Sequence, residues 1–96
     1  MGHKATDREI ASQFERVEVI ESASPGDRLS FNYTTPSVHT PERWRIWASS
    51  YNRNLPWRTA KLEKFTDRLG NEQDRFTTHA GHATLREAFE WLQKLD

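Results

Sequence analysis

The chain has 96 residues, of which 34% are hydrophobic and 29% charged, and its formal net charge is zero. That length sets the expectation of a single domain, 1–96, with a small core and a thin margin of stability. There is no cysteine, which excludes disulfides, thiol catalysis and thiolate metal sites.

The aromatics, mostly Trp and Phe, compensate for the low apolar fraction, because each buries a large area. The expectation is a folded core under a very polar surface, not a disordered chain. No apolar run approaches the ~18 residues of a membrane span and no signal-peptide core precedes the charged residues, so a cytoplasmic location without membrane association is expected. Charge is unevenly spread along the sequence. Residues 43–64 carry six bases (Arg43, Arg45, Arg53, Arg58, Lys61, Lys64) against Glu63 alone, and the stretches before and after are acidic.

In chain order, Thr6-Asp7-Arg8-Glu9 fits a capping box, and Ile10, Phe14 and Val17 follow at helical spacing. The pattern then alternates through Val17 and Val19. It predicts a short helix from Asp7 to about Glu15 and a strand over 16–21, with one helix running to Ile20 as the alternative. Ser22-Ala23-Ser24-Pro25-Gly26-Asp27 is turn chemistry. Leu29, Phe31 and Tyr33 alternate beyond it, so residues 28–34 read as the return strand of a hairpin.

Residues 43–51 read as a third strand. Period two sends Trp44, Ile46 and Ala48 to one face and Arg43, Arg45 and Trp47 to the other. After a turn over 52–56 the reading divides. Leu62, Phe65 and Leu69 at i, i+3 and i+7, with Gly70 as a stop, favour a helix over 59–69. Trp57, Thr59 and Lys61 fit instead a strand returning along the third. Residues 75–79 read as a short final strand. Thr84-Leu85-Arg86-Glu87 is a second capping box, and Leu85, Ala88, Phe89, Leu92 and Leu95 form the apolar stripe of a helix to about Lys94. The expected architecture is therefore α+β: an N-terminal helix, an antiparallel sheet of three to four strands, and a C-terminal helix packed on the sheet.

Several modules that bind nucleic acid share that order, the double-stranded-RNA-binding domain among them. Here, though, Thr84-Leu85-Arg86-Glu87 stands where such a domain carries basic residues, and fold-level analogy does not transfer function.

The candidate site is the basic-aromatic stretch, with Arg43, Arg45, Trp47, Arg53 and Arg58 as partner-binding residues. Arginine forks match carboxylate and phosphate, aromatic faces stack bases, and Arg and Trp are favoured interface hot spots. The bland alternative is that the tryptophans build the core and the arginines form a solvated rim. His79 and His82 form a pair three apart without a complete zinc ligand set, so no metal and no cofactor is expected. Glycine-rich phosphate loops, serine elbows and paired-carboxylate motifs are missing, so no catalytic residues are assigned and an enzyme is not expected. The expected role is a protein-binding accessory or inhibitor module, of the kind encoded by phages and mobile elements, docking on a larger protein or nucleoprotein complex. The alternative is a nucleic-acid-binding regulator using the same patch. Zero net charge tilts the reading toward protein.

Overall fold

The computed structural model describes residues 6–20, 29–36, 38–49 and 53–95. The chain runs α1 (Asp7–Ala11), β1 (Val17–Ile20), β2 (Ser30–Thr34), β3 (Arg43–Ala48), β4 (Trp57–Thr66), β5 (Glu72–His82) and α2 (Leu85–Gln93). The strands form one antiparallel sheet in the order β1-β2-β3-β4-β5, so each strand pairs with the one before it. Both helices lie on one face of that sheet, and among the described residues no helix or strand covers the other, the open face. Antiparallel sheets tolerate this arrangement because one face can pack while the other is solvated.

Register decides which residues go where. Val19 pairs with Phe31, Phe31 with Ile46, Ile46 with Thr59, and Thr59 with Ala80, a row on the helix side. Phe31, Tyr33, Trp44, Ile46 and Trp57 from the sheet are buried against Ala11, Leu85, Ala88, Phe89 and Leu92. Phe89 meets Phe31 edge-on at 5.5 Å and stacks on Phe14 at 4.9 Å, while Trp91 meets Trp44 edge-on at 5.4 Å. Burial of each large apolar side chain of this kind is worth about 1.5–3 kcal/mol. Thr6 and Thr84 cap their helices as the sequence predicts, accepting from the amides of Glu9 and Glu87. The Glu87 carboxylate reaches back to the amide of Ala83, one residue beyond the cap.

The α+β class and the packed C-terminal helix agree with the sequence reading, and several details are corrected. The sheet has five strands, not three to four. Residues 59–69 are not a helix: β4 takes residues up to Thr66, and 67–71 form its turn into β5. The final strand spans 11 residues, well beyond 75–79. α1 stops at Ala11, and the chain turns into β1 through Arg16 at φ 62, so the single long helix to Ile20 is not formed. β3 ends at Ala48. The turn expected over 22–27 lies outside the described residues, as do Tyr51 and Asn52.

β4 and β5 outrun their neighbours. The β3 pairing ends at Arg43 opposite Leu62, but β4 and β5 stay paired out to Thr66 opposite Glu72. Residues 63–75 thus project as a two-stranded arm, and the molecule measures 56 × 31 × 24 Å. Asp67 builds the arm's tip: its Oδ1 accepts from the amides of Leu69 and Asn71, and its Oδ2 accepts from the Gln73 side chain. Gly70 at φ 83 supplies the left-handed position that the turn requires.

Candidate functional site

The open face of the sheet is assembled from the residues that alternate outward. Register puts Thr34, Arg43, Leu62 and Phe76 in one row and Asn32, Arg45 and Ala60 in the next. Trp47, Arg58 and Gly81 form a third row. Arg43, Arg45, Trp47 and Arg58, singled out in the sequence, therefore share one surface clear of both helices. Arg53 is exposed in the bend before β4, and no contact among the described residues joins it to the cluster. The tryptophans divide. Trp44 and Trp57 are core residues, as the bland reading has it, while Trp47 is half-buried on the open side.

Two residues complete the site: Phe76, which sequence reasoning did not single out, and His79, which it weighed only as a metal ligand or acid-base group. Phe76 lies 5.8 Å from Trp47 between ring centroids, and His79 lies edge-on to the same indole at 6.3 Å. Phe76 keeps 42% of its surface exposed. The Arg45 guanidinium sits 5.6 Å from the centre of the Phe76 ring, and its Nε donates to Asn32 Oδ1 at 3.2 Å. Arg45 is thus held in place from both sides. Arg58 lies over Gly81, where a Cβ would meet its guanidinium and the Leu55 side chain. Glycine there lets the arginine lie flat against the strand.

Phe76 and His79 are three residues apart, so a regular strand would send them to opposite faces. They meet because β5 carries a bulge. Thr59 pairs with Ala80 but Lys61 with Thr77, leaving Thr78 and His79 opposite Ala60 alone. Thr78 takes up the extra residue at φ 51. The same strand separates the two histidines that zinc would need. His79 is on the open face, while His82 is buried on the helix side, its Nε2 3.1 Å from Thr59 Oγ1 and its ring 5.2 Å from Trp91. Burial pushes the His82 imidazole below its usual pKa; Glu87 opposes that shift and Arg58 adds to it. Among the described residues, no three His, Asp or Glu side chains converge as a metal site would need.

The bases of the 43–64 stretch do not all act alike. Lys61 faces the helix side, with its Nζ 3.1 Å from Glu63 and 3.6 Å from Glu42. The hydrogen bond with Glu63 raises the Lys61 pKa and lowers that of Glu63. The ion pairs among the described residues engage Lys61 and Arg16, and leave Arg43, Arg45 and Arg58 without a carboxylate. Glu18 shares their face but stands beyond Asn32, at the β1 edge. The open face therefore offers three unneutralised guanidiniums around a half-buried aromatic centre. Comparison with protein families, with curated proteins and with solved structures finds no match, so the functional argument rests on this geometry alone.

Proposed function

We propose that the chain is a non-enzymatic protein-binding module, an accessory or inhibitor that docks on a larger protein or nucleoprotein complex through its open sheet face. The observation that carries this reading is the composition of that face. Arg43, Arg45 and Arg58 stand with Trp47, Phe76, Leu62 and Leu55, and among the described residues the one lysine that shares the side, Lys64, is out on the arm. Arginine and aromatic enrichment with lysine depletion is the signature of protein interfaces, whose hot spots are Trp, Tyr and Arg in desolvated surroundings. A surface that tracks phosphates uses lysine as well, and a net-neutral chain lacks the field that draws such a ligand from a distance.

A second reading, a nucleic-acid-binding regulator using the same patch, is favoured by one observation: Phe76 is exposed beside Trp47 and His79, where a base could stack. A pull-down from a lysate of the source organism, with wild type and Arg43→Glu/Arg45→Glu, with and without nuclease, separates the two. The expected result is a protein partner that survives nuclease and is lost with the double variant, a fall of at least about tenfold in binding. Partners released by nuclease support the second reading. A variant that keeps every partner overturns both.

The double variant is expected to fold. Arg43 is exposed, and reversing Arg45 loses one hydrogen bond and one ring contact, together about 1–2 kcal/mol.

A further inference from the structure

We infer that the element received by the open face is an extended acidic segment of the partner, with carboxylates at alternate positions that all face the arginines. The inference rests on the protein-docking reading and goes beyond it by stating the chemistry and conformation of what docks.

The first argument is charge. Arg43, Arg45 and Arg58 have no carboxylate partner among the described residues, in contrast to Lys61, which has two. Three guanidiniums on one surface repel one another until anions arrive, and a carboxylate fits the guanidinium fork in a bidentate pair.

The second argument is spacing. Arg43 and Arg45 are alternate residues of one strand, so their side chains leave the sheet about 6.6–6.8 Å apart. An extended peptide has the same repeat, and its alternate side chains point the same way, so two carboxylates at i and i+2 face both arginines at once. Arg58, on the neighbouring strand, is diagonal to Arg45, about 7–8 Å away, and can reach a third carboxylate. A helix presents its same-sided residues at i, i+3 and i+4, about 5–6 Å apart, and does not match this repeat.

The third argument is preparation. Arg45 is braced by Asn32 and by the Phe76 ring, and Arg58 lies against Gly81, so both lose little freedom on binding. Leu62 and Phe76 beside Arg43, and Trp47 beside Arg58, add apolar surface on which the methylene groups of those inward carboxylate side chains lie.

The test uses defined probes and the whole chain. Fluorescence anisotropy is recorded with three labelled ligands: a short peptide alternating Glu with Ser, a peptide of the same composition with its glutamates in one block, and oligo(dT). The alternating peptide is expected to bind best. Binding should fall about tenfold in Arg43→Glu/Arg45→Glu and several-fold in Phe76→Ala. Arg43→Lys/Arg45→Lys keeps the charge and guards against a folding artefact; it should also weaken binding, because lysine lacks the fork.

Equal binding of the blocked and alternating peptides overturns the extended geometry. If no peptide binds, yet a nuclease-resistant partner is still lost with the Glu variant, the acidic segment is refuted while the docking reading stands. Tighter, arginine-dependent binding of oligo(dT) refutes both in favour of nucleic acid.

Discussion

His82 ends β5 on the helix side, packed on Trp91, and shares a hydrogen bond with the Thr59 hydroxyl. Its folded-state pKa is depressed by burial. The unfolded chain, with its histidine near about 6.5, therefore binds this proton more tightly than the folded one. The stability that His82 contributes is thus fully present above about pH 6.5 and falls as pH drops through the folded-state value. Urea melts between about pH 7.5 and 5.5 are expected to show falling stability in wild type and a flatter response in His82→Gln. An equal slope in the variant would assign the loss to other groups. At this scale the sequence was half legible. Alternation in β3 placed Trp44 and Ile46 inward and Arg43, Arg45 and Trp47 outward, as found. Phe76 and His79 were not legible as site residues, because strict alternation separates them. The bulge that unites them turns on Thr78, a β-branched residue whose positive φ no local pattern announces.

The clearest misreading belongs to the element scale. Leu62, Phe65 and Leu69 have helical spacing, yet the structure gives them no common face. Leu62 looks out from the open side, Phe65 is covered by Arg75 at 5.3 Å, and Leu69 stands 85% exposed at the arm's tip. What decides the segment is pairing: β3 has a free edge that β4 fills, with Thr59 and Trp57 facing the core. Gly70 could not arbitrate, because a helix stop and this turn both use its left-handed conformation. The arm itself sits outside the core. Replacing residues 64–74 with Asn-Gly would join Glu63 to Arg75 by a two-residue hairpin turn. The urea midpoint should shift little, by less than about 1 kcal/mol in stability, since an isolated two-stranded ribbon adds little of its own. A large loss would mean that the arm supports the sheet. In hydrogen exchange, amides of residues 63–75 should open before those of β2 and β3.

At the scale of the whole molecule, neutrality conceals a division. The helix layer carries Asp7, Glu9, Glu87 and Glu90 against Arg8 and Arg86, while the open face concentrates unpaired arginine. Among the described residues no helix is long and apolar enough to cross a membrane.

The sheet also has two ends, and they differ. β1 is only 4 residues long, while β5 runs for 11 with one side unpaired. An edge of that length is a template on which further copies could polymerise, and proteins interrupt such edges with bulges, charges or proline. β5 contains no proline, so its charges and the kink at Thr78 are what stand between a single chain and a growing stack. Holding Thr78 in the left-handed region costs about 1–2 kcal/mol, a strain that a regular ladder would release. Deleting Thr78 would leave His79 opposite Ala60 alone and straighten the edge. The shortened chain should keep its fold yet scatter light increasingly with time and concentration, where wild type stays monodisperse. Equal colloidal behaviour of the two would show that the charges on β5 suffice to keep copies apart.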